Sequence, residues 1–361
     1  MSDSSAPKRL GPAVHPVTVR LRRSPEFRSG LFALTFSPVA LVLMGSSMDD
    51  IAARTATGLP LASVEGMIGM ALGAVLLTLI AVNCDLSSSG LFVAAACSVP
   101  IGLLQWRGLL SIPGLFTIPV SREDLATPAV WSLHPLITTT ILTGSAFAVW
   151  LTHRAGRSGK LRRSLSSKER PSMHQWIRAL VATCVVPMTV LVFFVLIHMA
   201  PADATRVAAQ GMSGLLVGHQ TDVAFAIFCA VTLGLVALTA RWSLFGPQLA
   251  GWALMTLPAY LFLPVWATLS GRVVAPGDTT TTQVSLAAPI IALLGMVLGS
   301  STLGVHWARR KWLPVDEDPA EDAPAPPFES EEEAVFVGEA PPQGAPVGEV
   351  IAVAEDGGEP S

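Results

Sequence analysis

The chain has 361 residues, 51% of them hydrophobic and 14% charged, with a mean hydropathy of +0.55. A water-soluble domain does not carry such values, whereas a chain embedded in a bilayer does. The net charge of −3 sums basic tracts beside apolar segments and an acidic tail, so no nucleic-acid partner is expected.

Residues 1–28 are polar and hold Lys8, Arg9, Arg20, Arg22, Arg23 and Arg28, and we read them as a basic cytoplasmic segment. A bilayer core of about 30 Å requires roughly 20 apolar residues in a helix. Such segments are predicted at 30–48, 64–84, 89–106 and 131–152, the first an uncleaved span rather than a leader. Leu109–Val120 is apolar but short and broken by Pro113 and Pro119, and reads as interfacial or re-entrant. A basic loop, 153–176, follows. Four further spans are predicted at 177–199, 221–240, 246–269 and 284–307. From 309 onward the chain is an acidic, proline-rich tail expected to be disordered, with fourteen acidic and no basic residues after Val315. The four cysteines show no paired or metal-ligand spacing and read as free thiols.

Lys and Arg concentrate before the first span, between the fourth and fifth, at Arg241 and at Arg309, Arg310 and Lys311. The positive-inside rule then puts both termini in the cytoplasm, with an even number of spans. The halves 29–152 and 177–308 also resemble each other. Pro38 matches Pro187 and Trp106 matches Trp266, while Ser132 to Pro135, Gly144 and His153 match Ser285 to Pro289, Gly299 and His306. Units with an even number of spans must share one orientation, which is the parallel-repeat class. The expected fold is therefore an all-α integral membrane protein of a bacterial inner, plasma membrane. It has about eight transmembrane helices in two parallel four-helix repeats, with a disordered cytoplasmic tail.

Ionisable residues within a membrane are functional candidates. No Asp, Glu, Lys or Arg falls mid-span in this reading, and the nearest are Asp49, Glu65 and Asp222 at the outer ends. With His134, His198 and His219 they form a candidate outer binding site for a cation or proton, the metal unspecified. Ser63 and Thr221 also suit Glu65 and Asp222 to plain helix capping. Thr139, Thr143, Ser300 and Ser301 are candidate lining residues of a passage between the repeats, against the alternative that they bond back to carbonyls one turn earlier.

Gly211-Met-Ser-Gly214 resembles the GxSG nucleophile motif of rhomboid intramembrane proteases. The match is judged coincidental: His219 stands too close and His306 lies at the opposite end, so neither is a base at the depth of Ser213. Neither an enzymatic activity nor a cofactor is expected. Two functions remain. One is a permease-like protein passing a small or amphiphilic substrate between its repeats. The other is a non-transporting scaffold or assembly factor that recruits a cytoplasmic protein through its acidic tail and basic loop. Besides the bilayer itself, anionic lipid headgroups are an expected partner of residues 154–170.

Overall fold

The computed structural model describes residues 24–56, 64–85, 87–106, 130–158, 172–201, 222–262 and 279–311. Among these, helices account for nearly all the chain and no strand occurs. They run α1 (Pro25–Ala56), α2 (Val64–Val82), α3 (Ser89–Trp106), α4 (His134–Arg157), α5 (Ser172–Met199), α6 (Val223–Thr239), α7 (Phe245–Phe262) and α8 (Thr279–Arg310). Short 3-10 turns at Asn83–Asp85 and Val130–Ser132 follow α2 and precede α4. Contacts divide the chain after Pro314, and residues 315–361 form a unit of their own outside the described residues. Leu109–Val120, the GxSG at 211–214, His219 and most of the basic loop likewise lie outside them.

Each predicted span overlaps one of these helices, residues 263–269 of the seventh lying outside the described residues, but length separates the helices. Within α1, α2, α4, α5 and α8 run five stretches long and apolar enough to cross a membrane, and α3 and α6 contain shorter apolar ones. At 1.5 Å per residue, the 17 residues of α6 reach about 26 Å, short of the roughly 30 Å hydrocarbon core. The surface agrees with lipid contact. Leu34, Leu72, Phe194, Ile227, Leu235 and Trp252 are large apolar side chains left exposed on these helices, a density of apolar surface that water would penalise.

At the centre lies α8, whose most apolar stretch is 78% buried against 24% for α5. It packs on α7, α4, α2, α1 and α5, while α4 also packs on α3 and α6, and α1 on α2 and α3. Small residues set the crossings, as expected where lipid tails compete for apolar surface. A Cβ at Gly144 would fall 2.2 Å from the Gly234 carbonyl oxygen, and one at Gly295 would fall 2.7 Å from the Gly251 carbonyl oxygen. Gly69 and Gly73 make the same close approach to Ser47 and Met44 on α1. All four cysteines are free.

Candidate polar sites within the helical bundle

The sequence boundary at Met48 is not where α1 ends. Asp49 and Asp50 do not break the helix, which continues to Ala56 and carries both carboxyls into the bundle at 7% and 0% exposure. Both fall inside the apolar stretch Pro25–Ile51. Both thus stand at the end of the span, buried by neighbouring helices, and Asp50 is a residue that the sequence reading passed over. Asp49 Oδ1 is buried with no hydrogen-bond partner among the described residues.

Other candidates have plainer surroundings. Asp222 is exposed and caps α6, its Oδ1 accepting from Ala224 N at 3.0 Å and from Phe225 N at 3.2 Å. Glu65 is exposed in the first turn of α2. His198, also exposed, stands edge-on to Phe225 with ring centroids 6.0 Å apart, which brings it to the end of α6 that Asp222 caps. His134 opens α4 and is buried. Among the described residues, no group of three His, Cys, Asp or Glu is placed to hold a metal ion.

The hydroxyls expected to line a passage are mostly spent on their own helices. Thr139 donates to Pro135 O at 2.8 Å, Thr143 to Thr139 O at 2.7 Å and Ser300 to Met296 O at 2.7 Å. Ser301 differs. Its Oγ lies 2.8 Å from Ser145 Oγ, both side chains fully buried, in a direct hydrogen bond between α4 and α8.

Two contacts at helix ends had no sequence signal beyond the repeat. His153 on α4 donates Nε2–H to Cys84 O, just past α2, at 3.0 Å. Arg309 on α8 donates to Ala240 O at 2.9 Å and to Arg241 O, just past α6. At the same helix ends Arg154 lies over Trp150, Arg241 over Trp242 and Arg310 over Trp307, each 5.6 Å from the ring centroid. Arginine paired with tryptophan at helix ends is the chemistry of a membrane–water interface.

Two spaces complete the picture. A cavity of about 20 Å³ lies among α1, α3, α4 and α8, with Ser98, His134 and Thr138 in its wall. A wholly apolar groove of about 190 Å³ lies between α4 and α6, lined by Leu133, Leu136, Ile137, Val223, Ala226 and Ala230. Leu133 holds a left-handed backbone (φ 50°) there. The sequence offered His134 for an outer site and joined neither Thr138, one helical turn further on, nor the opposing Ser98 on α3 to it.

No protein-family model matches the chain, and no curated protein or solved structure matches it.

Proposed function

We propose that this protein is a permease-like membrane protein that passes a small or amphiphilic substrate between two parallel four-helix halves, α1 to α4 and α5 to α8. The observation that carries this reading is the Asp49–Asp50 pair buried within α1. A carboxyl withdrawn from water costs free energy that packing alone would avoid, and membrane proteins keep such groups where charge or protons must move. A non-transporting scaffold has no need of buried carboxyls, so this pair weighs against that alternative.

Three contacts support the duplication. The Ser145–Ser301 bond joins residues 156 apart; Arg309, three residues past the His306 that matches His153 in the sequence, stands 156 after His153, and Ala240 stands 156 after Cys84. The contacts of His153 with Cys84 and of Arg309 with Ala240 each span 69 residues. A twofold relation between halves explains all of this: equivalent side chains meet at the axis, and equivalent helices each reach the carbonyl end of a partner. All eight helices then cross the membrane, the three Arg–Trp pairs mark the cytoplasmic face, and the termini, basic loop and acidic tail share that face.

One observation favours the scaffold. The seam at Ser145 and Ser301 is fully buried and closed, as in a static partner-binding protein. Reconstituted vesicles with a trapped pH dye separate the two readings. Across a panel of small amphiphiles, the wild type should move protons with at least one compound, and Asp49→Asn/Asp50→Asn should not. Silence across the panel from well-folded protein would transfer the case to the scaffold.

A further inference from the structure

The cavity among α1, α3, α4 and α8 has a use that does not depend on transport. Its volume of about 20 Å³ exceeds the 10–15 Å³ that one water needs and excludes anything much larger. The walls are not those of a dry void. Thr138 lines the space at 2% exposure, and its Oγ1 has no hydrogen-bond partner among the described residues. Its neighbours Thr139 and Thr143 take the usual outlet, a carbonyl four residues back, and Thr138 does not. Ser98 gives its hydroxyl proton to Pro135 O at 2.8 Å, which leaves lone pairs on Ser98 Oγ able to accept. The buried His134 ring forms a third polar wall.

The helices that meet here also share a backbone feature. Each has a proline within four residues of the cavity lining: Pro38 before Leu41, Pro100 beside Ile101, Pro135 itself, and Pro289 before Leu293. Pro135 opens α4, where no helical bond is lost, but Pro38, Pro100 and Pro289 lie inside their helices, where a proline releases the carbonyl four residues earlier, and inside a bilayer such groups are satisfied by side chains, neighbouring helices or ordered water.

We propose that this junction binds a single water molecule, held by Thr138 Oγ1, Ser98 Oγ and the His134 imidazole. The water donates to Ser98 Oγ, and its other bonds go to the threonine hydroxyl and a ring nitrogen. Three partners is the usual complement of a buried water. The molecule ties α3 to α4 at the point where α8 closes over them.

The test uses the full-length protein in lipid nanodiscs, with a structure at a resolution that shows bound water. The wild type should show one density peak within hydrogen-bond distance of all three side chains; no peak there overturns the proposal. Thr138→Val should lose the peak and lower Tm by about 2–4 °C, while Thr138→Ser should keep both. A Thr138→Val protein that melts at or above the wild-type temperature also overturns it, because deleting a buried hydroxyl that truly lacks a partner stabilises. Should Thr138→Val fail to fold, Ser98→Ala with its own density map gives the same decision.

Discussion

Asp49 and Asp222 are both carboxylates near a helix end, yet their surroundings ask for opposite outcomes on substitution. Asp222 is exposed and its Oδ1 holds two backbone N–H groups of α6. Asp222→Ala should cost about 1 kcal/mol, the usual worth of an N-cap, and Asp222→Asn should cost little because the amide oxygen caps as well. Paired thermal melts of the two variants check this, and equal losses would refute the cap. Asp49 is buried inside a span and its Oδ1 lacks a partner among the described residues. Asp49→Asn should therefore raise Tm, by about 2–4 °C for each 1 kcal/mol of relieved desolvation, while transport falls. A variant that melts lower would mean that the carboxyl is a structural anchor. The sequence made Asp222 legible, since an acidic residue before an apolar run is a cap signal. It did not make Asp49 legible, because a pair of charges looks like a helix end and becomes buried only through the packing of other helices.

At the scale of elements, helix positions followed from apolar run length, and each of the eight predicted segments overlies one helix. What run length did not convey is which helices sit at the centre. That depends on small-residue crossings, and the spacing of glycines reveals them only in part. Gly295 and Gly299 form one small-xxx-small pair in the sequence, but the two have opposite environments. A Cβ at Gly295 would meet the α7 backbone at 2.7 Å, and one at Gly299 meets nothing within 4 Å. Gly295→Ala should accordingly cost about 1–3 kcal/mol through overpacking. Gly299→Ala should be neutral or stabilise by about 0.4–1 kcal/mol, by restricting the unfolded chain. Chemical or thermal denaturation in detergent reads both, and a same-sign result would show that the α7–α8 crossing is not set by glycine contact. Gly144, which faces the Gly234 carbonyl oxygen, should behave like Gly295.

Across the whole molecule, the question is whether the two halves part. Ser145 and Ser301 meet at 2.8 Å with no exposure, so a passage along the contact of α4 with α8 must break this bond. In a bilayer such a hydroxyl pair contributes about 0.6 kcal/mol by analogy with measured interhelical bonds, too little to hold the seam shut against substrate binding. A covalent bond would hold it. With the four native cysteines Cys84, Cys97, Cys184 and Cys229 replaced, Ser145→Cys/Ser301→Cys should oxidise to a cross-link. If the protein works by separating its halves, oxidation should abolish substrate-driven proton movement in vesicles and a reductant should restore it. The single-cysteine variants should remain active under both conditions. If instead the cross-linked protein transports as well as the reduced one, the route does not run through this seam. The groove between α4 and α6, lined entirely by apolar side chains, would then be the next path to examine. A scaffold makes a third prediction: the cross-link forms, nothing is transported in either state, and partner capture by the tail is unaffected. The interior hydroxyls alone did not distinguish these cases, because most of them bond to their own helix. Thr140 reaches across the halves to Ala230 O at 2.7 Å, and the Ser145–Ser301 pair, with a side chain from each half, is where the mechanism can be tested by a cross-link.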